Sequence, residues 1–275
     1  MLKLRVLSAL VLVPLVVWGL FAWPQPLFAA FLGAFIVVGA LEWTVLSGIR
    51  AIPARLLYVT LIALAGVAVL RVPALLQPLL IAAVVFWLLA FIEHVRGRAL
   101  DYGVLASFPG KLVGGFLVLL PAWLVPLLLR ELPDGRWLTL ILMLYVWGAD
   151  TGAYFAGHRF GKHKLAPRVS PGKTWEGVAG GLVTVLIVAL LAGIYRFGFG
   201  PIALALWVAL SLFTGLVSVL GDLFESRLKR IAGVKDSGTL IPGHGGVLDR
   251  IDAFTAAAPV FALAWLLWRV PAGGL

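Results

Sequence analysis

The chain has 275 residues, 62% of them hydrophobic and only 12% charged, about half the charged share of a soluble domain. That excludes a soluble enzyme, and at about 20 residues per membrane crossing little more than loops and termini is left for chemistry. With no cysteine there is no disulfide framework, thiolate nucleophile or cysteine zinc site, and the redox compartment stays open; the net charge is +10.

Apolar runs bounded by Gly, Pro or charge fall at residues 6–23, 27–47, 56–70, 75–92, 112–129, 137–157, 177–195, 201–221 and 251–270. They predict an all-α, polytopic integral membrane protein with about nine transmembrane helices. The fifth run carries Pro121 and Pro126, which a membrane helix absorbs where neighbours satisfy the freed backbone groups. The first run follows Lys3 and Arg5 as a signal peptide would, but ends in Trp23-Pro24-Gln25-Pro26 without a small-x-small cleavage site, so a retained anchor is expected. A cytoplasmic amino terminus places 17 of the 22 Lys and Arg on that side, as the positive-inside rule requires. The excess charge then faces an anionic leaflet and needs no nucleic acid to explain it. Arg50, Arg55, Arg96 and Arg98 read as topology and lipid contacts.

The chain divides into scaffold helices, 1–135, and a catalytic region, 136–275, with cytoplasmic loops 158–176 and 222–250. Helices one to four are nearly free of acid, whereas Asp150, Glu176, Asp222, Glu225, Asp236, Asp249 and Asp252 gather near the cytoplasmic ends of helices six to nine. Ionisable groups at membrane depth mark functional sites that carry partners. Helical spacing puts Asp222, Glu225, Ser226 and Lys229 on one face. Glu225 reads as an ordinary partner of Lys229 at a solvated helix end; Asp222, just after an apolar run, wants a metal ion or a fixed cation.

Residues 235–252 form a glycine-rich loop leading into a helix, whose N–H groups suit phosphate oxygens. Asp249 with Asp252 could be a helix cap; together with Asp222 they offer the hard oxygen ligands of a magnesium site. His244 has no His or Cys companion at metal-ligand spacing, which favours a phosphate or hydrogen-bonding role. Gly172-Lys173-Thr174 matches the tail of a Walker A motif, but Pro167 stands where its leading glycine belongs and no strand is expected before it, so a P-loop fold is rejected. Ser170, Lys173 and Thr174 still sit just before a helix, where a polyphosphate would be held. Gly148 to Gly152 and Gly177 to Gly181 have the spacing of closely packed membrane helices.

The string Ser226-x-Leu228-Lys229-Arg230, four residues, Lys235-Asp236, then Pro242-x-His244-Gly245-Gly246-x-x-Asp249-Arg250-x-Asp252 resembles the signature of phosphatidate cytidylyltransferases, also called CDP-diacylglycerol synthases. Ser170 to Gly177 is similar to a second block of that family, with Gly172 where many members carry a further lysine, which leaves Lys173 to act alone. The resemblance implies attack by the phosphate of phosphatidic acid on the α-phosphorus of CTP, giving CDP-diacylglycerol and pyrophosphate. It implies Mg2+ or another divalent cation on Asp222 and Asp249, with Asp150 and Asp252 as supporting acids, and allows a second, monovalent cation. Lys229, Arg230, Lys235, Asp236 and Asp252 complete the implied catalytic set. Ser170, Lys173, Thr174, Ser226, His244, Gly245, Gly246 and Arg250 would contact CTP and the lipid phosphate. The implied partners are phosphatidic acid, CTP, membrane lipids and a second copy in a homodimer, with no nucleic acid; the setting is a bacterial inner membrane with the amino terminus and site cytoplasmic.

Phosphoryl chemistry needs charge neutralisation and alignment more than a covalent nucleophile, and the residues present supply both. A transporter of anionic solutes would use similar residues, but would place them near the bilayer midplane between repeated halves. A CDP-alcohol phosphotransferase needs an Asp-Gly-x-x-Ala-Arg block, and Asp134-Gly135 leads instead into Arg136-Trp137.

Overall fold

The computed structural model describes residues 2–96, 103–238, 240 and 245–269, with side chains from residue 10 to 268. Nine α-helices occur among the described residues: α1 Leu2–Ala22, α2 Gln25–Leu46, α3 Ile52–Arg71, α4 Leu76–Val95, α5 Phe108–Glu131, α6 Gly135–Phe160, α7 Trp175–Leu191, α8 Pro201–Ile231 and α9 Leu248–Arg269. Eight of them are long and apolar enough to cross a membrane; in α1 the described apolar stretch is Leu10–Ala22. The protein is thus an all-α polytopic membrane protein.

Local chemistry sets the helix starts. Pro26, Pro53 and Pro201 occupy the first two positions of α2, α3 and α8, where a missing N–H costs nothing and the fixed φ suits a helix. The Ser107 hydroxyl accepts from Gly110 N and caps α5; the Thr174 hydroxyl accepts from Gly177 N and caps α7. The eighth apolar run, read as 201–221, is only the first part of α8, which continues without a break to Ile231. Its last turns alternate charge with Leu223, Phe224 and Leu228, all buried, so one face still packs after hydropathy has fallen. The segment 158–176 also departs from a plain loop: β1 Lys164–Ala166 pairs antiparallel with β2 Ser170–Thr174. A short strand therefore does precede Pro167, in a two-stranded hairpin rather than a P-loop sheet.

Helix α5 is the hub, packed against α2, α3, α4, α6 and α9 and largely buried despite its two prolines. The Trp123 indole lies against Gly33 of α2 and Gly66 of α3 and donates to Ala29 O at 2.9 Å. A Cβ at Gly66 would run into that ring. Gly66→Leu is expected to destabilise the fold by about 1–3 kcal/mol through overpacking, read as a lower thermal unfolding midpoint in detergent. Helices α6 and α7 close on small residues: a Cβ at Gly181 would stand 2.7 Å from Ala149 O, and one at Gly177 3.0 Å from Ala153 O. Large side chains such as Leu57, Leu64, Val104 and Ile202 stay exposed, as lipid-facing residues do.

Alternating chain direction sends the carboxyl ends of α2, α4, α6 and α8 and the amino ends of α5, α7 and α9 to one end of the bundle. At the other end, Arg130 donates to Trp23 O, Arg136 to Phe21 O at 3.0 Å, and Arg196 pairs with Asp134. Those arginines are fastened to backbone and to Asp134.

Candidate active site

Four elements deliver the polar residues. Asp150 comes from the last turns of α6, Lys173 from β2, Asp222 to Arg230 from the end of α8, and Asp249 to Asp252 from the first turns of α9. Helices α8 and α9 meet closely because residue 221 is glycine: a Cβ there would stand 3.1 Å from Ala253 Cα. This contact sets Asp222 beside Asp252. Asp150 is within electrostatic reach of Asp222, Lys173 and Arg250, and Asp252 within reach of Glu225, Asp222 and Asp150.

Each of the two aspartates singled out as ligands has its own lysine. Lys173 Nζ is 2.5 Å from Asp222 Oδ2, and Ser226 Oγ donates to Asp222 Oδ1 at 3.2 Å. Lys229 Nζ is 2.5 Å from Asp249 Oδ1. Asp249 Oδ2 accepts from Ser237 N at 2.9 Å, Ser237 Oγ at 3.0 Å and Gly246 N at 2.8 Å. Asp249 thus organises the preceding loop, and Gly246 N–H points to it rather than outward. Gly245 takes φ +81°, and a Cβ there would stand 2.6 Å from Asp249 Oδ2, so this left-handed turn requires glycine.

The expected solvated pairing of Glu225 is corrected in one respect. Lys229 Nζ lies 3.2 Å from Glu225 Oε1, but their side chains are only 11% and 5% exposed. Burial against the start of α9, not spacing along α8, makes this a desolvated triad of Glu225, Lys229 and Asp249. The 3.2 Å contact lacks hydrogen-bond geometry, so Glu225 Oε1 has no donor among the described residues. Arg230 Nε donates to Val169 O at 3.3 Å and ties α8 to the hairpin. Glu176 holds the hairpin from α7, 2.6 Å from His163 Nδ1. Thr174 is committed to capping α7, Ser170 is half-buried, and Lys235 and Asp236 are exposed. His244 lies outside the described residues.

A cavity of about 310 Å3 runs from this cluster into the bundle. Its walls are apolar, with Val13 of α1, Phe31 and Phe35 of α2, Pro126 of α5 and Met143 of α6, and it reaches Asp150, Asp249, Arg250 and Asp252. Asp222 is not part of the wall and communicates with it through Asp150 and Asp252.

Two acids that the sequence reading passed over belong here. Glu42 of α2, only 8% exposed, accepts from Val247 N at 2.9 Å, Leu248 N at 2.8 Å and Ser237 Oγ at 3.0 Å. Glu93 of α4 pairs with buried Arg227 of α8 at 3.0 Å and accepts from Leu105 N at 3.2 Å. The signal was present: Glu42 stands inside the second apolar run and Glu93 directly after the fourth, and the rule applied to Asp222, itself just after a run, applies equally to them.

Among the described residues no three Asp, Glu or His groups form a closed metal cage. Magnesium in phosphoryl-transfer sites takes only one or two carboxylates and completes its shell with water and substrate phosphates, so a cage is not needed. Asp222 fits such an ion, a hard-oxygen donor that already holds the Lys173 ammonium at 2.5 Å; Asp249 has Oδ2 on three donors of the loop and Oδ1 on Lys229 at 2.5 Å, so it would take the ion in exchange for that lysine.

Residues 3–268 match the cytidylyltransferase family. The chain belongs to that family. Among its relatives, the phosphatidate cytidylyltransferase of Pseudomonas aeruginosa is 47% identical over 98% of this chain and 97% of its own length. That of Haemophilus influenzae is 42% identical over 95% and 98%. A relative of the same name from Staphylococcus saprophyticus is 47% identical over 46% of this chain and 48% of its own. Membership of the cytidylyltransferase family makes the chain a nucleotidyltransferase, and the cluster at the end of the bundle is where its acids and cations meet.

Proposed function

We propose that this chain is a CTP:phosphatidate cytidylyltransferase, forming CDP-diacylglycerol and pyrophosphate for phospholipid synthesis. One observation carries the site assignment: at one end of a membrane bundle Asp249, paired with Lys229, opens with Asp150, Arg250 and Asp252 onto an apolar cavity, and the Lys173–Asp222 pair stands beside them. A lipid phosphate would lie at Asp150, Arg250 and Asp252 with its tails in hydrocarbon, having entered laterally between helices. A triphosphate would lie over Lys173 and the end of α8, with Ser170, Ser226, Arg230, Lys235 and His244 as further contacts.

In this reading Lys173 and Lys229 hold Asp222 and Asp249 in place before substrate arrives. Lys173, 24% exposed, is free to turn to the pyrophosphate as it departs. Arg250 and Lys173 orient the two phosphates for in-line attack, and the apolar walls keep water from competing. The lipid phosphate needs no general base, because a phosphate monoester with a second pKa near 6 is largely ionised at neutral pH. A divalent ion, Mg2+ in the simplest case, would be held by Asp222 and Asp249 with Asp150 and Asp252 behind them; when bound it supplies charge neutralisation at the reacting phosphates. A second, monovalent cation would sit among the same acids.

The helices within 1–135 serve as scaffold and as the face for a second copy in a homodimer. The protein is an integral membrane protein; we place it in a bacterial inner membrane with the amino terminus and the site cytoplasmic.

Pyrophosphate release from purified protein, with phosphatidate, magnesium and each of the four nucleoside triphosphates in turn, tests this reading. CTP alone should support turnover, and release with every triphosphate or with none would overturn the assignment. Chelation should abolish turnover and magnesium should restore it; activity that persists in chelator would remove the metal from the site.

A further inference from the structure

The glycine-rich segment before α9 has the composition of a phosphate cradle, yet four N–H groups at its two ends are already spent on two carboxylates of the protein itself. Asp249 takes those of Ser237 and Gly246, and Glu42, from the other half of the chain, takes those of Val247 and Leu248. Ser237 Oγ lies 3.0 Å from both Glu42 Oε2 and Asp249 Oδ2 and links the two acids. The glycines make room for this arrangement: a Cβ at Gly238 or at Gly246 would stand 2.5 Å from a Glu42 carboxylate oxygen.

From this we infer that Glu42 is a positioning residue for the nucleotide side of the reaction, an internal anion that clamps both feet of the segment between Ser237 and Val247 onto α2. The inference rests on the reading in Proposed function. A carboxylate at the amino end of α9 satisfies its orphan donors and meets the positive end of its dipole. With Ser237 and Gly246 held, Asp249 Oδ2 stays saturated, and Oδ1, now on Lys229, is the one oxygen it keeps for a ligand. Glu42 touches none of the reacting groups, so it acts through Asp249 and Lys229. Glu42 is not part of the apolar cavity's lining, and the lining residue it bears on through Ser237 is Asp249.

Glu42→Gln is nearly isosteric but removes the charge and sets an amide NH2 against N–H donors. Charge-assisted hydrogen bonds of this kind are worth enough for about a tenfold effect or more. The expected result is a rise of about tenfold in KM for CTP, KM for phosphatidate within about twofold of the parent, and partial recovery in Glu42→Asp, which keeps the charge. Amide exchange over residues 245–248 should quicken in the same variant without substrate. A fall in kcat with both KM values unchanged, or unaltered exchange, would overturn the inference. Should Glu42→Gln fail to fold, Ser237→Ala removes only the link between the two acids and should shift KM for CTP and exchange in the same direction; no shift in either would count against the clamp. Exchange is read without turnover, so a parent inactive with CTP strikes the proposed reaction while leaving the clamp to be judged on its own.

Discussion

Asp222→Asn and Asp249→Asn should each lower CTP-dependent conversion of phosphatidate by about 10²–10³-fold, the scale seen when one preorganised electrostatic contact is lost from a transition state. The two variants should fail for different reasons. Asp222 is 27% exposed, and its partners are Lys173 and Ser226, so its loss frees a lysine at the surface of the site and leaves the fold intact. Asp249 is 6% exposed and binds the loop before α9 as well as Lys229, so its loss should also lower the unfolding midpoint. Pyrophosphate release in mixed micelles, beside thermal unfolding of the same preparations, separates the two. Turnover within about threefold of the parent in both variants, far below the effect of a lost transition-state contact, would take these acids out of the reaction.

Lys229→Met carries the largest expected effect on stability. The ammonium stands between Glu225 and Asp249, all three nearly buried. Removing it leaves two carboxylates facing each other without their cation, and breaking such a buried pair costs about 3–5 kcal/mol. Glu225→Gln should be milder, because Lys229 keeps Asp249 and the amide can remain in place. Denaturation of purified protein in detergent reads both, and equal midpoints for Lys229→Met and the parent would show that water reaches the triad. The comparison also separates support from chemistry, since Glu225→Gln keeps Asp249 and Lys229 together.

Much of the site was legible because the relevant signals are local. Asp222, Asp249, Asp150 and Lys173 stand out as charges against apolar runs, and the order Ser226 to Asp252 resembles a family signature. What escaped was pairing. Spacing along α8 gives the Glu225–Lys229 contact but not its burial, which depends on Asp249 arriving from α9. Phosphate-binding composition in residues 235–246 gives loop chemistry but not its direction. The N–H groups of Ser237, Gly246, Val247 and Leu248 turn inward to Asp249 and Glu42, and Glu42 lies about 200 residues away in sequence. The Thr174 oxygen accepts from Gly177 N and caps α7, a second task that its place in the Ser170 to Gly177 block does not announce, and its own O–H is left to donate.

Hydrophobic content and its interruption every twenty-odd residues determined that this chain is a helical membrane protein, since hydrocarbon admits few other backbones and the signal sums over each run. Charge placement likewise determined at which end of the helices most of the acids gather. Only the tertiary structure decided which acid meets which lysine: Lys173 with Asp222, Lys229 with Asp249, Glu42 with the amino end of α9. Those choices follow from helix crossings set by glycines such as Gly221 and Gly181, where an ångström of approach decides which side chains touch, and no pattern along one helix records its neighbour.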